Sequence, residues 1–231
     1  MTQPAPRSPS SLRRFLAFFD PAEPGFVRRL GRLALVATGA VGCVLCALVA
    51  YAAQTPNGRY WTGVVLLEAG RYEQAAQIAA ALVEQDPRDH YSYYRLWATA
   101  LRRGGEIEAQ LEVLDTAARV FPDYWRTQGH RCWYHTLFAD PAPVMDACDR
   151  AVAMAPEDEG YPYGWRAVAK ARLGDRAGAI GDLEIAVDRW ISSGYGQERP
   201  YVQVRRRWLE TLKGGGDPFD EATMKRLRGA F

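Results

Sequence analysis

The stretch "EAGRYEQAAQIAAALVEQDP", Glu68 to Pro87, decides how this chain folds. Gly70 makes a turn, alanines and aliphatics follow at helical spacing, and Asp86-Pro87 stops the segment. One helix of this kind cannot bury its apolar side alone, so other parts of the chain must cover it. Altered copies of the stretch supply the cover. Gly70, Gly105 and Gly174 each end a first helix, and Ala75-Ala76, Gln110-Leu111 and Ala179-Ile180 stand in the same place after each turn. Pro87, Pro122 and Pro156 follow the second helices.

These copies recur about every 35 residues, near the 34-residue period of a helix–turn–helix repeat. The chain resembles the tetratricopeptide repeat (TPR) family over residues 57 to 190, on Gly63, Gly70, Tyr72, Ala75 and Pro87 in the first unit. Trp97, Ala98, Leu101, Gly105, Leu114, Ala117 and Pro122 mark the second unit; Ala167, Gly174, Ala179, Leu183 and Ala186 mark the fourth. The fourth unit has Ile191 where the closing proline would stand. The third departs most, with "LFADPAP" in place of a single turn glycine. That implies either a first helix one turn longer or a larger loop. The resemblance implies an all-α solenoid of helical hairpins, each covering its neighbour's open face. Small residues let the helices approach, and glycine supplies the left-handed turn. "PYVQVRRRWLETL", Pro200 to Leu212, has Val204, Trp208 and Leu212 at helical spacing and reads as a capping helix. Arg205, Arg206 and Arg207 then form its solvated face. A last short helix is expected with Asp217 as N-cap and Pro218 just inside.

A second feature precedes the repeats. Leu33 to Ala53 holds no charged side chain, and as a helix it would span about 31 Å, the thickness of a hydrocarbon core. Arg7, Arg13, Arg14, Arg28, Arg29 and Arg32 precede it, whereas only Arg59 and Arg71 follow closely. That asymmetry places the N-terminus in the cytoplasm and the repeats on the periplasmic or extracytoplasmic side. Ala50-Tyr51-Ala52 also fits a signal cleavage site, so a removed signal is the alternative to a retained anchor. The expected domains are a basic juxtamembrane segment (1–31), a transmembrane helix (32–54), about four repeats (55–192) and capping helices (193–231).

Catalysis finds little support. The chain of 231 residues carries three histidines and a formal charge of +2, too near balance to suggest nucleic acid as a partner. No glycine-rich phosphate loop, cofactor motif or small-molecule substrate site is evident. His130, Cys132 and His135 lie close in sequence, but His130 and His135 would point about 140° apart on a helix, against a metal site. Cys132 and Cys148 fall near facing positions of the third hairpin; they are either a disulfide or two buried hydrophobes. The resemblance implies a concave face lined by first helices, here by Arg95, Thr99, Arg102, Arg126, His130, Trp133 and Arg172. Arginines interleaved with aromatics suit an extended peptide with acidic groups. The expected function is a membrane-anchored scaffold for a protein or peptide partner. The alternative is a permanent subunit of a larger membrane complex, with the transmembrane helix in the interface.

Overall fold

A computed structural model describes residues 54–194 and 199–229. The expected basic segment and transmembrane helix lie outside the described residues, and no helix among the described ones is long and apolar enough to cross a membrane. The chain divides into a unit of residues 1–58 and one of residues 59–231. The described helices form hairpins in chain order.

The first hairpin pairs α1 (Pro56–Glu68) with α2 (Tyr72–Gln85), and the second pairs α3 (Tyr91–Gly104) with α4 (Ile107–Val120). The third joins α5 (Trp125–Phe138) through a 3₁₀ turn, Ala142–Val144, to α6 (Met145–Met154). The fourth pairs α7 (Tyr161–Arg172) with α8 (Arg176–Ser192). Two further helices follow, α9 (Pro200–Lys213) and α10 (Glu221–Gly229).

The turns form as the residues require. Gly70, Gly105 and Gly174 adopt φ of 76°, 88° and 84°, values that a Cβ penalises. The residue after each closes a helix end: the N–H groups of Arg71, Glu106 and Asp175 donate to the carbonyls of Leu66, Leu101 and Lys170, each at 2.9 Å. Close approach is needed at Gly63 too, where a Cβ would stand 2.8 Å from the Leu96 side chain. Ala75, Ala79, Ala117, Ala147, Ala179 and Ala186 are all fully buried, since these small side chains set how near the second helices come. The helices before Pro87, Pro122 and Pro156 each end at least two residues earlier, as a following proline demands.

The third hairpin settles the choice left open by its sequence. Helix α5 has 14 residues, the same as α3, so the loop is larger and the first helix is not longer. Without a turn glycine, the last carbonyls of α5 find arginine donors instead. Arg172 of α7 donates to the carbonyls of Thr136 and Ala139, and Arg228 of α10 donates to that of Leu137 at 2.7 Å. Cations suit this negative end of the helix dipole.

The C-terminal helices depart from expectation in two places. In α9, Trp208 and Leu212 are buried, but Val202 and Arg205 join them and Val204 is only half-buried. Arg205 is therefore not on a solvated face; its guanidinium lies over the rings of Trp208 and Trp190, 4.9 and 5.7 Å from their centroids. Helix α10 begins at Glu221, with Asp220 as its cap: the Asp220 carboxylate accepts the Thr223 N–H at 2.8 Å. Asp217 caps the preceding turn, accepting the Phe219 N–H at 2.8 Å. Phe219 packs edge-on against Trp208, with ring centroids 5.0 Å apart.

Candidate peptide-binding face

Residues three and four apart on a helix share a face, and three helices use that spacing to line one cavity. Arg95, Ala98 and Thr99 come from α3, Gln110 and Leu114 from α4, and His130 and Tyr134 from α5. The cavity measures about 180 Å³. Three residues expected at a binding face, Arg95, Thr99 and His130, meet there.

His130 is held by Tyr91, whose hydroxyl is hydrogen-bonded to His130 Nδ1. Burial and the neighbouring Arg95 and Arg126 push its pKa down to about 4, so the imidazole is neutral at physiological pH. Burial raises the Tyr91 and Tyr134 pKa values, leaving both phenols protonated. Arg126 is exposed at the edge of this region, with its guanidinium 4.4 Å from the Trp125 ring centroid. Arg102 lies beside Tyr134; burial lowers its pKa, and its Nε has no hydrogen-bond partner.

The other two expected residues have different work. Trp133 is 3% exposed and belongs to the core, stacked on Trp165. Arg172 is committed to the end of α5, as described above. Two polar residues of the cavity were not expected there from sequence, Gln110 and Tyr134. A signal for Gln110 existed, because it occupies the slot that holds alanine at 75 and 179.

Two arginines on the neighbouring helices are matched by carboxylates. Arg131 on α5 bridges Asp115 of α4 at 2.7 Å and Asp146 of α6 at 3.4 Å. One repeat later, Arg166 on α7 bridges Asp149 of α6 and Asp182 of α8, the latter through two nitrogens at 2.8 and 2.7 Å. Lys170 adds a third contact to Asp182 at 2.9 Å. Asp182 is 3% exposed, and its carboxylate raises the Arg166 pKa above the usual range. No described carboxylate lies within salt-bridge distance of Arg95, Arg102, Arg126 or Arg205, although Glu159 feels the charge of Arg126 from beyond that range.

Cys132 of α5 and Cys148 of α6 form a disulfide, with Cα atoms 4.9 Å apart and both residues buried. His130, Cys132 and His135 are separately engaged, with His135 held by Asp115 at 3.2 Å. Among the described residues no group of three His, Cys, Asp or Glu side chains could hold a metal ion.

No protein-family model matches the chain, and no curated protein is similar to it. Solved structures do resemble it. A thermophilic TPR protein of Thermus thermophilus, TTC0263, superposes with a TM-score of 0.54 at 23% identity, covering 79% of this chain and 96% of that one. A crystal structure of MamA gives 0.53 at 15% identity, covering 77% of this chain and 100% of that one. MamA 41-end from Desulfovibrio magneticus RS-1 gives 0.52 at 15%, covering 77% and 97%. The likenesses show the fold: an all-α, TPR-like helical solenoid.

Proposed function

We propose that this chain is a non-enzymatic scaffold that holds an extended, acidic segment of a protein partner along its first-helix face. One observation carries the reading: Arg95, Arg102 and Arg126 share a region with no described carboxylate in salt-bridge range, while Arg131 and Arg166 are each paired twice. Arginines without a direct ion pair, beside Tyr91, Tyr124 and Trp125, suit carboxylates on a peptide with apolar side chains between them. Crosslinking and pull-down from intact cells test this. Wild type should capture an acidic partner segment, and the Arg95→Glu, Arg126→Glu double variant should lose it. Equal capture by both would overturn the assignment of this face.

The scaffold stands beside a membrane, tethered by Leu33 to Ala53, with the hairpins extracytoplasmic. The uncharged stretch and its arginine asymmetry support this placement. The Cys132–Cys148 disulfide does too, since such bonds persist in oxidising compartments. A reporter enzyme that works only after export, fused after Phe231, should be active. Activity from a reporter that works only in the cytoplasm would reverse the topology.

A permanent membrane-complex subunit is the second reading. Trp61 and Val65, 59% and 66% exposed at adjacent positions on α1, favour it. Purification in mild detergent separates the two. A stoichiometric complex that survives Arg95→Glu but dissociates on Trp61→Asp supports the subunit; exchangeable partners support the scaffold.

A further inference from the structure

Two glutamines are buried in the second and third hairpins, and they differ in one respect. Gln128, 2% exposed, donates from Nε2 to the carbonyls of Ala118 and Pro122 at 3.0 and 3.2 Å. Gln110 is 0% exposed, and neither its Oε1 nor its Nε2 has a partner. Flipping the amide would not help, because both ends are orphaned. A buried polar group without partners destabilises a fold. The repeat offers an inexpensive alternative at this slot, since alanine fills it at 75 and 179, fully buried in both places. Gln110 instead borders a cavity of about 180 Å³, with Arg95, Thr99, His130 and Tyr134 as its other polar neighbours.

The unmet groups define what would fit. Oε1 needs a donor and Nε2 needs an acceptor, side by side. A carboxylate offers acceptors only and would confront Oε1 with like charge density. A carboxamide offers one of each and pairs with Gln110 edge to edge. The remaining groups suit the same ligand. Thr99 Oγ1 donates to the Arg95 carbonyl at 2.7 Å, which leaves its lone pairs to accept from a second amide hydrogen. Arg95 can serve the free lone pair of the amide oxygen.

We propose that this cavity is a specificity pocket for the carboxamide side chain, glutamine or asparagine, of the bound peptide. The proposal rests on the peptide-binding reading above and adds which residue type the acidic segment carries at one position.

The test uses the full chain and two kinds of probe. The first is a series of acetylated, N-methylamidated peptides of four glutamates around one varied central residue, read by calorimetry. Glutamine or asparagine at the centre should bind at least about tenfold more tightly than alanine, leucine or glutamate, the discrimination expected when a site's polar groups would otherwise go unpaired. In Gln110→Ala, which restores the residue used at 75 and 179, the preference should vanish while binding of the alanine peptide persists. Equal binding of all five by wild type overturns the pocket and leaves the peptide face intact; no binding by any overturns both. The second probe is propionamide, with propionate as its control. Propionamide alone should move the Gln110 side-chain amide signals in the NMR spectrum. A larger shift with propionate would make the pocket a carboxylate site and sink the proposal.

Discussion

Arginine does opposite things in two regions of this solenoid. On α5 and α7, Arg131 and Arg166 each reach the second helices on both sides, through Asp115 and Asp146 in one case and Asp149 and Asp182 in the other. They act as clasps, repeated one hairpin apart. Around the cavity formed by α3, α4 and α5, Arg95, Arg102 and Arg126 have no described carboxylate in salt-bridge range. Arg205 in α9 is a third situation, buried over two tryptophans with no described carboxylate in salt-bridge range. A buried charge left unmatched costs stability, whereas Arg95 and Arg126 are exposed, hydrated and free to meet a partner. The location of unmatched charge is therefore a better guide to the binding face than the number of arginines.

The contrast can be broken at its strongest point first. Asp182→Ala strips the buried partner from Arg166 and Lys170 and should destabilise the fold by about 3–5 kcal/mol in urea unfolding. Asp149→Ala, which removes a mostly exposed carboxylate, should cost under about 1 kcal/mol. Equal effects would show that burial does not set the value of the clasp. Next, replacing both Cys132 and Cys148 by alanine should cost about 3 kcal/mol, the value for a closed loop of this size. An unchanged melting temperature would mean that the hairpin needs no crosslink.

Arg205→Met should move the other way, raising stability by about 1 kcal/mol or more. Burial pushes the Arg205 pKa down to about 10, well below the ordinary guanidinium value. The charged form is thus disfavoured in the folded state, and the penalty is present in full below pH 10. It is relieved as pH rises through 10, so the advantage of methionine should hold to about pH 9 and shrink above pH 10. A destabilised Arg205→Met would show that the cation–π contacts outweigh the buried charge. The smallest effect belongs to Arg95→Glu, which should change stability by less than about 0.5 kcal/mol while weakening acidic peptides. A large loss of stability there would move Arg95 from the binding face to the clasps.

How much of this could be read from residues varies by feature. Turn glycines announce themselves because a positive φ admits few other side chains, so Gly70, Gly105 and Gly174 marked the hairpins directly. The third turn did not, since its loop is closed by arginines from α7 and α10 that lie far along the chain. Trp133 and Arg172 sat at plausible face positions, yet helical spacing alone cannot say whether a side chain meets solvent or the next hairpin. Gln110 was visible as a misfit among alanines, but its two unpaired amide atoms were not.

The sequence by itself determined that helices pair into hairpins and that hairpins stack, because turn chemistry and small-residue spacing are local and recur with the repeat. It also carries the uncharged Leu33 to Ala53 stretch and its arginine flank. Only the tertiary structure decided which polar groups are matched, which glutamine is orphaned and where a cavity opens. Matching depends on atoms brought within about 3 Å from different helices, and no periodicity along one strand of text encodes that distance.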